Sequence, residues 1–204
     1  KGRGVSRIMR RTGQSRGAQN PHTKGGRRAH GPKVEKNWGR KLNLKERRLA
    51  RDSALSATTS VETVSARGHR FSEDIASLPI VLGNYAEVRD GKTEEFSIES
   101  FNHGSATRKV LAIFNEIGLG ADLMRARDGR NIRAGKATMR GRVHKTPKSV
   151  LLVVKEKSGL AQAARNLPGV DVVAARDLCA EDLAPGGDVG RLTVFTKDAV
   201  EALN

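Results

Sequence analysis

The chain has 204 residues, and its 38 Lys and Arg outnumber its 22 Asp and Glu to give a formal net charge of +16. This length admits one ordinary domain or two small ones, and an apolar fraction of 37% is enough for a core in only part of the chain. The longest apolar run, Val150–Val154, is far shorter than the roughly 20 residues that span a bilayer, so an integral membrane protein is not expected. The one cysteine, Cys179, cannot form an internal disulfide and fits a reducing compartment.

The positive charge is concentrated in two segments. Residues 1–41 contain 13 Lys or Arg and one acid, a net charge of +12, and residues 125–148 contain nine Lys or Arg and one acid, a net charge of +8. The rest of the chain is slightly acidic, with a net charge of −4. This distribution predicts a polyanionic partner that meets the protein at two places.

Residues 1–41 contain eight glycines and only scattered apolar residues, with neither helical nor strand periodicity. Such a segment cannot bury an apolar face and is not expected to fold alone. We therefore predict an extended basic segment at residues 1–41 and a globular α/β domain at residues 42–204, with a basic loop at residues 125–148.

The globular domain is predicted to start with one helix that runs from the N-cap Asn43 to Gly68. Small apolar residues recur along it at helical spacing, at Ala50, Ala54, Ala57, Val61 and Val64. Lys45 and Arg48 lie on the helix face opposite these apolar residues. Either they form a solvated face or they contact RNA, and the sequence does not decide between the two.

Strands and helices are expected to alternate after Pro79. The predicted order is strand Ile80–Leu82, a helix from Ser105 to Gly118, strand Val150–Val154, a helix from Ser158 to Pro168, strand Val170–Val173, strand Leu192–Phe195 and a short helix to Asn204. The helix from Ser105 places Val110, Leu111, Phe114 and Ile117 on one face. Alternation of this kind predicts an α/β fold, a mostly parallel sheet with covering helices.

A parallel sheet of this kind often binds nucleotides, but the glycines that a phosphate loop needs are missing. The turn after Val154 contains one glycine, Gly159, and the turn after Leu82 reads Gly83-Asn84. We therefore expect no cofactor.

Candidate catalytic and metal-binding residues are equally sparse. The histidines are dispersed, at His22, His30, His69, His103 and His144. Cys179 is expected to be a small buried residue, and Glu94, Glu95 and Glu99 an exposed face. The acids of residues 181–188 lie in a turn-rich connection and are interpreted as structural. We predict no catalytic residue, no metal site and no enzymatic activity.

The two basic segments favour RNA. They contain a single aromatic residue, Trp38, so they lack the stacking platforms of proteins that bind single strands. Arg and Lys on a glycine-rich backbone suit contacts with phosphates and irregular grooves. A nuclear-localisation or histone-like tail is the alternative for one such segment, but two segments around a folded body favour assembly into a large folded RNA.

The predicted RNA-binding side chains share a positive charge and lie in the two segments or on the first helix: Lys1, Arg3, Arg7, Arg10, Arg11, Arg16, Lys24, Arg27, Arg28, Lys33, Lys36, Arg40, Lys41, Lys45, Arg48, Arg130, Arg133, Lys136, Arg140, Arg142 and Lys145.

Several motifs resemble one family over essentially the whole chain. They are GGRRAHGPKVEK at residues 25–36, LKERRLARDSAL at 44–55, RGH at 67–69, AARNL at 163–167, EDLAPGG at 181–187 and GRLTVFT at 190–196. In this order they resemble the universal large-subunit ribosomal protein four, in its archaeal and eukaryotic type. In that family an α/β domain lies on the subunit surface, and a long loop penetrates the rRNA and helps form the constriction of the nascent-peptide exit tunnel.

The resemblance implies a structural constituent of the large ribosomal subunit in the cytoplasm. Residues 1–41 would be most of the long loop, with Arg10, Arg11 and Arg16 facing the tunnel. The implied partners are large-subunit rRNA, neighbouring ribosomal proteins including protein twenty-two at the tunnel, and the nascent peptide. The family's amino-terminal strand would precede residue 1, and the missing eukaryotic carboxy-terminal extension favours the archaeal form.

Two alternatives remain from the sequence. One is an RNA-modifying or nucleotide-dependent enzyme that holds its substrate with the basic segments, and it predicts a small-molecule ligand near Lys155 or Gly83. The other is a regulatory contact with messenger RNA, on which the residues give no evidence.

Overall fold

The computed structural model describes residues 30–73, 75, 77–83, 85–89, 92–96, 98–100 and 106–203. For residues 85–89, 92–96 and 100 it describes the backbone alone. The chain divides into two units, Lys1–Lys41 and Leu42–Asn204. In the first unit, every one of residues 30–41 is exposed. A turn is closed by the hydrogen bond from the Lys36 amide to the Lys33 carbonyl, at 3.2 Å, and the Lys36 ammonium lies 5.7 Å from the ring centre of Trp38.

The second unit alternates helices and strands. The strands are β1 Ile80–Leu82, β2 Tyr85–Arg89, β3 Lys92–Phe96, β4 Asn131–Ile132, β5 His144–Lys145, β6 Leu151–Val154, β7 Asp171–Ala174 and β8 Thr193–Thr196. The helices are α1 Leu44–Ala57, α2 Val61–Ala66, α3 Ala106–Glu116, α4 Gly120–Asp128, α5 Lys136–Met139, α6 Gly159–Ala164, α7 Ala180–Leu183 and α8 Lys197–Leu203. Short 3₁₀ turns lie at Ile98–Ser100, Ala175–Asp177 and Pro185–Gly187.

Four strands form a parallel sheet in the order β1-β8-β6-β7. Across the sheet, Val194 of β8 lies beside Ile80 of β1 and Leu152 of β6, and Leu152 in turn lies beside Val172 of β7. The predicted α/β fold with a mostly parallel sheet is therefore confirmed. Each of the four strands lies within a residue of its predicted position.

The central strand β6 is buried on both sides, as its continuous apolar run predicts. Leu152 and Val154 pack into one core with Val110 and Phe114 of α3. Leu151 and Val153 pack into a second core on the other face of the sheet, with residues of α1, α7 and α8. Because side chains alternate along a strand, one short segment joins two cores that helices cover from opposite sides.

The predicted single helix from Asn43 to Gly68 is two helices, α1 and α2, so that part of the prediction is wrong. The break falls at Thr58-Thr59-Ser60, where the Thr58 hydroxyl donates to the Leu55 carbonyl, at 2.7 Å. Ser60 then begins α2 by accepting a hydrogen bond from the Thr63 amide. Ser and Thr hydroxyls compete with the hydrogen bonds of the helix backbone, which explains the break.

The predicted apolar stripe is buried only in part. Ala54 and Val64 are buried, whereas Ala50 and Val61 are exposed.

The helix after residue 105 is confirmed as α3, and the Gly118 that follows it adopts φ +88°, a left-handed conformation suited to a helix end. Leu111, predicted on its buried face, is exposed. The predicted cap Ser105 lies outside the described residues.

The antiparallel hairpin of β2 and β3, the helix α4 and the pair β4–β5 were not predicted. No helix within the described residues is long and apolar enough to cross a membrane.

Candidate nucleic-acid interface

The basic ribbon, residues 130–145, consists of β4, α5 and β5. Its two strands pair antiparallel, with Ile132 opposite His144, and the Arg133 amide extends the pairing by donating to the Val143 carbonyl, at 2.8 Å. The Arg133 guanidinium also donates to the His144 carbonyl, at 3.1 Å. The predicted loop therefore has a hydrogen-bonded backbone of its own.

The end of the ribbon is organised by backbone and threonine hydrogen bonds. Gly135 precedes α5 with φ +79°, and the Thr138 hydroxyl donates to the Gly135 carbonyl, at 2.8 Å. After α5 the chain turns back, and the Arg142 amide donates to the Ala137 carbonyl, at 3.0 Å. No side chain in residues 130–145 is buried, so the ribbon holds its form by hydrogen bonding and not by a hydrophobic core.

The ribbon carries a concentrated positive charge. Its cationic side chains are all exposed and form no ion pair with any described residue: Arg130, Arg133, Lys136, Arg140, Arg142 and Lys145. No Asp or Glu occurs between Asp128 and Glu156, so no acid in the ribbon offsets these charges. Two large apolar side chains are also exposed, Ile132 at 74% and Met139 at 81%. Such a surface attracts phosphates and offers apolar contacts at the same time.

The remaining predicted RNA-binding residues fall into two groups. Lys33, Lys36, Arg40, Lys41, Lys45 and Arg48 are exposed, the last two on α1. The rest lie outside the described residues: Lys1, Arg3, Arg7, Arg10, Arg11, Arg16, Lys24, Arg27 and Arg28.

Arg125, which precedes the ribbon, makes its contacts within the domain. Arg125 donates to the Asp122 carboxylate, at 2.8 Å, and to the Lys148 carbonyl, at 2.8 Å. The Asp122 carboxylate, fully buried, also lies 3.0 Å from Nδ1 of His69 and accepts from the Arg70 amide, at 3.1 Å. Burial opposes ionisation of Asp122, but hydrogen bonds from His69 and Arg125 outweigh it and lower its pKa.

Arg191, whose side chain is buried, links the amino ends of β6, β7 and β8. Its guanidinium donates to the Ser149 carbonyl at 3.1 Å, the Asp182 carbonyl at 2.9 Å and the Asp171 carboxylate at 2.6 Å. Lys148 donates to the same carboxylate, at 2.7 Å. Burial opposes ionisation of Asp171, and the hydrogen bonds from Lys148 and Arg191 outweigh it, so its pKa is lowered. Neither this cluster nor the Asp122 cluster was found from the sequence, because each joins residues distant along the chain.

The carboxyl end of the sheet, where a nucleotide would bind, is occupied by the Glu99 side chain. Its carboxylate accepts from the Lys155 amide, at 2.6 Å, and from the Glu156 amide, at 3.4 Å. The Thr196 hydroxyl at the end of β8 also donates to it. Glu99 is therefore half-buried and not the exposed acid that was predicted. It uses the amides after β6 that would otherwise face a phosphate.

The prediction for Cys179 is wrong. The residue is exposed at the N-cap of α7, where its amide and its thiol both donate to the Asp182 carboxylate, at 3.1 and 3.0 Å. Partial burial and the hydrogen bond to Asp182 raise the pKa of the thiol. The residue begins a short surface helix, which its small apolar side chain did not indicate.

The Glu99 side chain occupies the carboxyl end of the parallel sheet, and the exposed cations of the ribbon suit a polyanion, so the fold fits a structural nucleic-acid-binding protein. The profile of the ribosomal protein L4/L1 family matches residues 1–204. The chain belongs to this family, and it is a structural protein of the large ribosomal subunit, not an enzyme.

Curated relatives agree with this assignment. The large ribosomal subunit protein uL4 of Methanococcus maripaludis is 46% identical over 204 residues, which are all of this chain and 74% of the relative. The uL4 proteins of Halobacterium salinarum and Methanocaldococcus jannaschii are 43% and 44% identical, over 98% and 100% of this chain and 73% of each relative. These archaeal matches agree with the archaeal and eukaryotic type that the motifs resemble.

Proposed function

We propose that the basic ribbon binds large-subunit rRNA through phosphate contacts, as the globular domain's anchor on the subunit. The observation that carries the proposal is the contrast in partners: the ribbon cations have no acidic partner within the described residues, whereas Arg125 and Arg191 pair with the carboxylates of Asp122 and Asp171. Unpaired cations on a hydrogen-bonded backbone are preorganised for an external polyanion.

The salt dependence of rRNA binding tests this proposal. In the full chain, Arg140, Arg142 and Lys145 would be replaced together by Gln, and binding to a large-subunit rRNA fragment would be measured between about 50 and 200 mM salt. Each lost phosphate contact lowers the slope of log affinity against log salt by about 0.7 to 0.9, so the triple variant should lose about 2 to 3.

The matched control replaces Arg108, Arg165 and Arg176 by Gln, which removes the same charge from exposed sites outside the ribbon and outside residues 125–148. We expect this control to change the slope by less than half as much. If the two triple variants gave the same slope, the net charge would explain binding and the proposal for the ribbon would fail.

We further propose that residues 1–41 form the rRNA-penetrating loop, with Arg10, Arg11 and Arg16 beside the nascent peptide and the loop of protein twenty-two nearby. Support comes from membership of the family and from the net charge of +12 in these residues. Replacing Arg10, Arg11, Arg27 and Arg28 by Ala should lower incorporation into large subunits and reduce the salt slope.

A crosslinker placed at position 11 distinguishes the tunnel from other locations in the subunit. We expect a product with a stalled nascent chain, and none from a crosslinker at position 36. Equal products from both positions, or none from position 11 in assembled subunits, would contradict the tunnel assignment.

A further inference from the structure

An open groove lies between α1 and the segment that leads into α7. Its volume is about 780 Å³, large enough to hold several side chains. Leu42 and Leu44 line it from the start of α1, and Leu178, Cys179 and Ala180 line it from the other side. Below it, α1 packs on α7 through Ala54 and Leu183, which are buried in the second core.

The two leucines at the start of α1 are largely exposed. Leu42 is 60% and Leu44 is 53% exposed, although both lie against the apolar side chains of the groove. Removing such a leucine side chain from water on association is favourable. The groove is therefore an apolar surface that binding of a partner would stabilise.

The rim of the groove is mainly basic. Arg47, Arg48, Arg51 and Arg176 line it, against the acids Glu46 and Glu181. Arg51 is paired with Asp52 at 2.9 Å and Arg176 lies 3.8 Å from Asp177. Arg47 and Arg48 form no ion pair within the described part of the chain, so they are available to an acidic partner.

We propose that this groove is a docking site for a short segment of another large-subunit protein, one that combines aliphatic side chains with Asp or Glu. The aliphatic side chains would fill the space beside Leu44 and Leu178, and the carboxylates would pair with Arg47 and Arg48. Charge complementarity at the rim and apolar contact at the base are the arrangement of a protein–protein interface. Arg48 then contacts protein, whereas the sequence had suggested RNA.

The composition of the groove disfavours the other occupants. RNA has no aliphatic side chains, and its bases stack on aromatic rings, of which the lining of this groove has none. A second copy of this chain would bring its own basic surfaces to a basic rim, which costs free energy through like-charge repulsion.

The single cysteine supplies a native probe, because Cys179 is exposed and lines the groove. Alkylation by N-ethylmaleimide would be timed in the free full chain and in intact large subunits in the same mildly alkaline buffer. We expect alkylation in the subunit to be slowed at least tenfold. Equal rates in the two samples would overturn the proposal, because the groove would then be empty in the subunit.

A short thiol-to-photoreactive crosslinker on Cys179 identifies the occupant in assembled subunits. We expect a nuclease-resistant product with another subunit protein whose crosslinked peptide contains aliphatic and acidic residues. An RNA product, a product between two copies or a peptide without acids would each overturn the proposal. The ribbon is not part of this groove, so the outcome is independent of the salt-slope test above.

A pair of leucine variants separates docking from folding. Leu44→Ser removes a groove contact, and Leu49→Ser changes a residue on the same helix that is 72% exposed and does not line the groove. We expect Leu44→Ser to lower the crosslink yield about fivefold and Leu49→Ser to leave it unchanged. Equal yields from the two variants would show that the groove residues do not hold the partner.

Discussion

Arginine has two different roles in this molecule, and the comparison between them separates stability from recognition. Arg191 is buried and donates to two carbonyls and one carboxylate, so its charge is satisfied within the domain. Arg140 and Arg142 have the same side chain, but they are exposed on the ribbon and have no acidic partner among the described residues. Only the second kind contributes free positive charge to an RNA partner.

The largest effect on stability is expected from removing the buried guanidinium of Arg191. Replacing Arg191 by Met should lower the free energy of unfolding by about 3 kcal/mol, because it removes the donor to the Ser149 and Asp182 carbonyls and leaves the Asp171 carboxylate with Lys148 alone. Urea denaturation of the full chain measures the change.

Arg165→Met is the matched control, since Arg165 is exposed at the end of α6, and it should change the free energy of unfolding by less than about 0.5 kcal/mol. A loss below 1 kcal/mol for Arg191→Met would mean that the buried hydrogen bonds do not hold the strand ends together.

The contribution of the Asp122 cluster to stability should depend on pH. At pH 7, Asp122→Asn should lower the free energy of unfolding by about 2 kcal/mol, because His69, Arg70 and Arg125 all donate to the ionised carboxylate. The pKa of Asp122 is lowered in the fold, so its contribution is complete above the unfolded value of about 3.9 and is lost as the pH falls below it.

The difference in stability between the wild-type chain and Asp122→Asn should therefore shrink between pH 5 and pH 2, as followed by urea denaturation at each pH. Asp128→Asn, at an exposed acid whose ion pair among the described residues is with its neighbour Arg127, should show a small difference at every pH. A difference for Asp122→Asn that stayed constant with pH would argue against an ionised carboxylate in this cluster.

A smaller effect is expected at the carboxyl end of the sheet. Glu99→Gln should lower the free energy of unfolding by about 1 kcal/mol. The neutral Gln side chain is a weaker acceptor than a carboxylate for the backbone N–H groups of Lys155 and Glu156. Hydrogen exchange at the Lys155 amide should become faster. Glu156→Gln, at an exposed neighbour, should leave that exchange unchanged, and equal acceleration in both variants would contradict the assigned hydrogen bond.

The general architecture was predictable because it depends on patterns that are local in sequence. The continuous apolar run at Val150–Val154 identified the central strand, and alternation of strands and helices identified the parallel sheet. The break between α1 and α2 was missed because the apolar stripe continues across Thr58 to Ser60, and the competing hydroxyl hydrogen bonds have no periodicity.

The candidate interface was predictable only as a region. Arg125 and Arg130 look alike in the sequence, and both lie in the segment with a net charge of +8. Their difference depends on Asp122 and on His69, which is more than fifty residues away and meets Asp122 only in the folded domain. A charge count therefore finds the segment, whereas the fold decides which of its arginines are exposed.

The smallest effect on folding is expected from the ribbon, and it sharpens the comparison with Arg191. Replacing Arg140, Arg142 and Lys145 by Gln should change the free energy of unfolding by less than about 0.5 kcal/mol, since their side chains are exposed and without ion pairs among the described residues. One substitution at Arg191 would then destabilise the domain more than three on the ribbon, while only the three reduce the salt slope. A large loss of stability in the triple variant, seen in the same urea titration, would show that the ribbon supports the fold and would remove the distinction between the two roles.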